Sequence, residues 1–431
     1  MTSAAFHVQQ ARRHLATGNA AHALSAAGQG LEVHPHDPDL QWVAALSLVA
    51  LQQPAAAARQ LEALVHAQPD HGDAWLKLGA CLKRLDDPLA AAAALRRGLA
   101  LMPEAAPARL QLAECLLPGD PDAALVEYFR AVTTAQAQGR WLNDATTAPE
   151  LRERVKTAMR LIDEGRHRLF FSAIAPLQQQ HGAQALSRVT RALEAYLGIA
   201  PGGSPDPRQR PTFLYIPDLQ PEPYFERALF PWYEALEQAT DAIRAELQRV
   251  LQARDGLQPF LDFSGPARKD DFLASRQDID AAAWDAYFFH RHGQAYPEHL
   301  AACPATARAL AQVPLTRIDA HAPEVLFSLL SPGTLIKSHH GVTNSRVVTH
   351  LPLIVPVDCA LEVGGVQHDW QEGRCVTFDD SYLHQAWNHS SQLRVVMILD
   401  TWHPRLRPEE TQALKQLVEV IGGFNRQAGL N

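Results

Sequence analysis

Two short stretches, Ser338-His339-His340-Gly341-Val342-Thr343-Asn344 and Phe378-Asp379-Asp380-Ser381-Tyr382-Leu383-His384-Gln385-Ala386-Trp387, decide the fold of this chain. Ser328, Arg346, His350 and Arg394 lie around them, and the region closes on Leu399-Asp400-Thr401-Trp402-His403-Pro404. These polar residues recur at the ends of short apolar, β-branched runs. Four such runs, 325–330, 347–355, 374–378 and 393–399, have the length of strands, and Pro, Gly and Asp punctuate the chain between them. That pattern predicts a jelly-roll or double-stranded β-helix rather than a helical fold.

On such a frame His339 and His384 are the candidate metal ligands. Imidazole suits iron, zinc, copper or nickel, so the ligand type does not name the metal. The two-histidine, one-carboxylate triad of many non-haem iron oxygenases has its acid two residues after the first histidine, and here that position is Gly341. The chain has 20 histidines, so a structural role for the pair is the competing reading. Arg394 follows His384 on the next apolar run. A guanidinium pointing into a β-barrel needs an anion, because burying it unpaired is costly. Its planar fork matches a carboxylate. Either Asp379 or Asp380 supplies that anion, or a bound dicarboxylate such as 2-oxoglutarate does. In the second case one end chelates the metal, Arg394 fixes the other, and Ser328 and His350 add hydrogen bonds.

Outward from this region the chain changes character. Pro35, Pro69 and Pro103 recur every 34 residues, the tetratricopeptide period. Ala11, Ala45, Gly79 and Ala113 keep the same step, as do Ala23, Ala57 and Ala91, with Ala124 one residue short of it. The third repeat is the clearest, with Trp75-Leu76-Lys77-Leu78-Gly79 followed by Ala91, Leu95 and Pro103. Each repeat would be a helix hairpin that buries its apolar face only by stacking on its neighbours. The alternative is a set of alanine-rich amphipathic helices without repeat order.

Beyond residue 138 helical spacing continues over 149–164, with Val155, Met159 and Ile162 as the apolar stripe, and over 183–197. The segment 201–211 has four prolines and two glycines, which no helix or central strand tolerates, and is read as a linker. A short strand is expected over 212–217 and a helix over 230–250. Trp284, Tyr287, Phe288 and Phe289 read as core aromatics. The expected organisation is a multidomain α + β chain: tetratricopeptide solenoid over 1–138, helical connector over 139–200, linker over 201–211 and β-helix domain over 212–431.

Composition narrows the function classes. The 431 residues, 47% hydrophobic and 20% charged, allow two or three ordinary globular domains. A net charge of −8 argues against nucleic acid as a partner. Five scattered cysteines with no CxxC spacing argue against a disulfide framework and favour a reducing compartment. No apolar leader and no run of ~18 apolar residues is present, so no membrane span is expected and cytoplasm is the default location.

The site region also resembles a family. His339 with Gly341-Val342-Thr343-Asn344, Arg346 with His350-Leu351-Pro352-Leu353, Phe378-Asp379-Asp380-Ser381 with His384 and Trp387, and Arg394 with Asp400-Thr401-Trp402-His403-Pro404 are similar to the aspartyl/asparaginyl β-hydroxylases. The resemblance covers roughly residues 211 to 408. It implies an Fe(II)- and 2-oxoglutarate-dependent dioxygenase whose iron is held by His339 and His384 alone, since this family also lacks the carboxylate at the Gly341 position. By the same resemblance Ser328 and Arg394 hold the distal carboxylate of 2-oxoglutarate, His350 the end near the metal, and Trp284 lies near the substrate. The family's best-known animal members also place tetratricopeptide-like helices before the catalytic domain.

Two departures stand out. Val348 occupies a position where the animal members have an arginine, and Arg346 is the nearby residue expected to compensate. Their cysteine pair is absent, with only Cys303 in that interval. The expected substrate is an aspartyl or asparaginyl side chain of a protein or peptide held by the repeats, with O2 as the oxidant. The alternatives are the same chemistry on a small molecule, a carrier-bound amino acid or a lipid acyl chain, or a non-catalytic binding scaffold.

Overall fold

A computed structural model describes residues 3–261, 268–275 and 282–430. The chain divides into two compact units, Met1–Arg168 with Phe424–Asn431, and Leu169–Gly423.

The first unit begins with four helix hairpins. They are α1 (Ala4–Ala16) with α2 (Ala20–Val33), α3 (Pro38–Ala50) with α4 (Pro54–Ala67), α5 (Gly72–Arg84) with α6 (Pro88–Leu101), and α7 (Ala106–Leu116) with α8 (Pro121–Ala137). Asp37, Asp87 and Asp120 cap α3, α6 and α8 by accepting from the N–H three residues on, each followed by a proline in the first turn, where its missing N–H costs nothing. All the small residues in phase are buried where helices cross. At Gly79 a Cβ would stand 2.5 Å from Leu95 Cγ, so at this crossing any larger residue would have to displace Leu95. The prolines that mark the period lie between repeats and have a second use. Gln41, Trp75 and Arg109, themselves 34 residues apart, donate side-chain N–H groups to the carbonyls of Pro35, Pro69 and Pro103 at 3.3, 2.8 and 3.0 Å. The same contact is thus made by three chemically different side chains, because it needs only an N–H at that place in each repeat.

Three sequence expectations change here. The division into compact units falls inside α9 (Arg152–His181) and not at residues 138 and 200, because one 30-residue helix replaces the shorter one expected over 149–164. Along it Val155, Ala158 and Ile162 are buried, whereas Met159 is 40% exposed. At about 100° per residue Met159 lies about 40° beyond Val155, on the side away from Ala158 and Ile162, and so at the edge of the buried stripe. A one-turn 3₁₀ segment (Ala183–Leu186) and α10 (Ser187–Tyr196) follow. Finally, the expected linker 201–211 and strand 212–217 are neither free nor a ladder. Arg210 N–H donates to the Ser381 carbonyl at 2.9 Å and Thr212 N–H to the Gly341 carbonyl at 3.1 Å, with isolated bridges Gln209–Tyr382 and Leu214–Thr343. Prolines remove donors from this segment, so it docks residue by residue and not as a continuous strand.

The second unit contains two antiparallel sheets in the double-stranded β-helix arrangement. The strands are β1 (Gln258–Pro259), β2 (Leu273–Ser275), β3 (Trp284–Arg291), β4 (Gln294–Ala295), β5 (Val325–Leu330), β6 (Thr334–His339), β7 (Arg346–Ile354), β8 (Cys359–Val363), β9 (Val366–Asp369), β10 (Val376–Phe378), β11 (His384–Asn388) and β12 (Arg394–Trp402). The larger sheet runs β1-β3-β5-β12-β7-β10, with β4 on β3, and the smaller runs β2-β6-β11-β8-β9. The larger sheet is buried on both faces, so its strands read as nearly unbroken apolar runs. One face, with Phe327, Leu329, Val347, Leu351, Val395 and Met397, packs with Tyr233, Leu236, Ile243 and Leu247 of α11 (Tyr233–Gln238) and α12 (Thr240–Ala253). The other, with Leu330, Val376, Phe378 and Val396, packs with Ile336, Leu361 and Ala386 of the smaller sheet. The site lies between the two sheets, on this second face.

Candidate active site

His339 ends β6 and His384 begins β11, and the two are direct cross-strand partners. Their ring centroids are 4.1 Å apart. Each Nδ1 lies against the carbonyl two residues earlier, Lys337 O at 2.8 Å and Tyr382 O at 3.0 Å. A carbonyl can only accept, so both Nδ1 atoms carry the hydrogen and both Nε2 atoms keep a free lone pair. Burial and the neighbouring His339 push His384 down to about 3, and burial also lowers His339. The pair is therefore neutral near pH 7, the state a metal requires. Among the described residues no third His, Cys, Asp or Glu completes a ligand group with them. Gly341 lies where a triad carboxylate would branch. A Cβ there would meet the Asp380 carboxylate at 2.2 to 2.5 Å, so this carboxylate already fills that space. Burial, and then the adjacent Asp379, raise Asp380 to about 7.

The opposite wall comes from the larger sheet, and its register explains why these residues share a face. Ser328 is paired with Val396 and with Ala286, Trp284 and Arg394 with Leu330, and His350 with Ile398 and Val376. Residues paired across a ladder point the same way. Arg394 is 1% exposed, and its contacts to Ser328 O and Oγ are both long, at 3.4 Å. No described carboxylate pairs with it. Asp379, one of the two proposed partners, accepts from Gln209 Nε2 at 2.8 Å and from the Ser381 backbone N–H at 2.9 Å. Asp380, the other, lies over Gly341. Burial lowers Arg394 to about 10, which leaves it charged at pH 7. His350 is lowered by burial and then by Arg394, and its Nδ1 is buried without a partner, as is Arg394 Nε. The orphaned Arg394 Nε–H, with the unpartnered His350 nitrogen beside it, fits a bound acid, and the neutral histidines opposite fit a metal.

Arg346 departs from expectation, and Trp284 stands on the same wall as Ser328. Arg346, expected to reach the cosubstrate, is in an ion pair with buried Asp400, which also accepts from the Glu324 N–H at 3.1 Å. Register places Val348 opposite Asp400, so the carboxylate lies beside the strand and captures the nearest guanidinium. Trp284 donates Nε1–H to Ser328 Oγ at 2.9 Å and stacks on Phe260 at 4.0 Å, which commits its N–H to the Arg394 wall. Two other residues were not singled out from sequence. Gln209 braces the turn before His384 through Asp379. Trp370 lies with its ring 5.1 Å from Arg394 Cζ and 5.7 Å from the His350 ring. A tryptophan in a loop carries no periodic signal. The only clue was its proximity in sequence to the next site strand.

Residues 237–404 match the family described as aspartyl/asparaginyl beta-hydroxylase. Aspartate beta-hydroxylase domain-containing protein 2 of Mus musculus is 35% identical over 210 residues, covering 48% of this chain and 58% of that protein. Ornithine lipid ester-linked acyl 2-hydroxylase of Rhizobium tropici is 34% identical over 190 residues, covering 43% of this chain and 62% of that protein. The crystal structure of YrrB, a TPR protein, matches 36% of this chain and 81% of its own at 22% identity and a TM-score of 0.30. The chain thus spans less than two thirds of the length of the curated relatives it matches. Among the described residues no helix is long and apolar enough to cross a membrane.

Proposed function

We propose that the chain, whose residues 237–404 match the aspartyl/asparaginyl β-hydroxylase family, is an Fe(II)- and 2-oxoglutarate-dependent dioxygenase acting on an aspartyl or asparaginyl side chain of a protein or peptide. The observation that carries this reading is Arg394, buried without a carboxylate partner among the described residues, across from two histidines whose Nδ1–H groups face backbone carbonyls and leave Nε2 as the ligating atom. His339 and His384 would hold the metal, and Ser328 and Arg394 the distal carboxylate. His350 would donate to the end nearer the metal. Iron bound there supplies, with O2 and 2-oxoglutarate, the oxidising power for C–H hydroxylation, with succinate and CO2 as co-products. The chain's own contribution is position and dryness. Trp284 holds the Ser328 hydroxyl, and Phe378, Val396 and Val348 line the space with apolar surface that excludes water. The repeats would hold the polypeptide that carries the target residue.

One observation favours a second substrate class. Val348 offers no charge, and Arg346 is taken by Asp400, which leaves the wall beside His350 suited to an uncharged chain such as a lipid acyl group. The test has two stages. Fe(II) and 2-oxoglutarate under nitrogen should give a metal-to-ligand charge-transfer band that His384→Ala abolishes, and a band unaffected by that change would end the proposal. Mass spectrometry of peptide and acyl substrates, for a product carrying one added oxygen, then separates the two classes.

A further inference from the structure

Trp370 follows β9 directly and is buried, 8% exposed. Its ring lies against the Arg394 guanidinium and beside His350. Its Nε1–H is buried and has no acceptor among the described residues. A buried indole N–H nearly always finds a partner, and an orphan of this kind calls for an explanation. Arg394 Nε and His350 Nδ1 are orphaned too. Trp370 Nε1–H and Arg394 Nε–H, from two separate segments of the chain, both lack an acceptor, and the ring nitrogen of His350 beside them is unpartnered as well. A carboxylate offers about four acceptor sites, enough for several donors at once. Trp284, on the same wall, shows the contrast, because Ser328 Oγ already satisfies its N–H at 2.9 Å.

We propose that Trp370 is a further binding residue for the acidic cosubstrate, its indole N–H donating to the distal carboxylate held by Arg394 and Ser328. The inference rests on the function proposed above. Without the acid, the indole face offsets part of the cost of the buried guanidinium through a cation–π contact. With the acid bound, the N–H adds a directed bond that the ring face cannot supply.

The experiment uses the full chain loaded with Mn(II), which does not turn over. It compares, by calorimetry, the dissociation constants of 2-oxoglutarate and of 2-oxopentanoate, which lacks the distal carboxylate. Trp370→Phe keeps an aromatic face over Arg394 and removes the N–H. It should weaken 2-oxoglutarate about tenfold, as expected for loss of one hydrogen bond to a charged group, and leave 2-oxopentanoate unchanged. β-(3-Benzothienyl)alanine at position 370 has the indole shape without the N–H, and gives the same comparison if the phenylalanine variant does not fold. Equal weakening of both ligands would assign Trp370 a packing role and overturn the inference, as would no change in either. A wild-type chain that binds no 2-oxoglutarate would overturn the proposed function and this inference together. Binding by the wild type that the substitutions leave intact would overturn the inference alone.

Discussion

Arg109 in the helical repeats and Arg394 in the double sheet are both buried, and they meet the cost of burial in different ways. Arg109 is 4% exposed, and it donates to Glu127 Oε2 at 2.7 Å and to the Pro103 carbonyl at 3.0 Å. Arg394 is 1% exposed, and its hydrogen bonds among the described residues are the two long ones to Ser328, beside the face of Trp370. The first charge is balanced by its own fold and serves the repeat. The second has no carboxylate partner among the described residues, and burying a guanidinium in that state is costly. Partnering, more than burial, separates these two arginines.

The comparison is most directly broken by exchanging each arginine for methionine. Arg109→Met leaves Glu127 and the Pro103 carbonyl without their buried donor and should cost about 3 kcal/mol of stability, with 2-oxoglutarate binding unchanged. Arg394→Met removes an unpaired charge, so the melting temperature should hold or rise while 2-oxoglutarate affinity falls about a hundredfold, or about 2.7 kcal/mol. Urea unfolding and calorimetry measure the two quantities. If both variants lose stability alike, the distinction fails.

Two glycines sharpen the same contrast with a smaller effect. Gly79→Ala drives a Cβ into Leu95 and toward the Ala91 carbonyl at 3.1 Å, between helices that cannot part, and should cost about 1–2 kcal/mol. Gly341→Ala meets the end of the Asp380 side chain, which can swing away. Stability should change little there, and the loss should appear in metal affinity, read by titration with Mn(II).

The smallest effect tests whether a paired charge in the second unit behaves as Arg109 does in the first. Glu410 is fully buried, which raises its pKa, but the bonds from Arg188 and Arg407 outweigh this and hold it at about 2 against an ordinary 4.5. Its ionised form therefore stabilises the fold above pH 4.5, and that contribution is lost as the pH falls toward 2. Glu410→Gln should lose on the order of 2 kcal/mol at pH 7. Its gap from the wild type should close across that window, as followed by the urea midpoint against pH.

Legibility followed the range of each interaction. The repeats were readable because their contacts recur within 34 residues, so Pro35, Pro69 and Pro103 mark them without any tertiary information. The run 325–330 was readable as β5 because a strand buried on both faces is apolar throughout. His339, His384 and Arg394 were readable as unusual side chains at the ends of such runs. Arg346 was assigned to the cosubstrate and belongs instead to Asp400, a partner that only the β7–β12 register reveals. Gln209 was hidden in a proline-rich segment read as a linker, although its amide braces Asp379. Trp370 carries no such signal, because it lies in a loop and the groups it meets, on β7 and β12, are set against it only by the fold.

By itself, then, the sequence determined the repeat period, the presence of short two-face-buried strands, and the residue types able to hold a metal and an acid. These depend on composition and spacing along one strand or helix. Only the tertiary structure decided which of those residues face one another, which charges are already neutralised, and which donors remain free. Such facts are set by register between strands far apart in the chain, and a shift of one residue in that register would turn every one of these side chains to the other face.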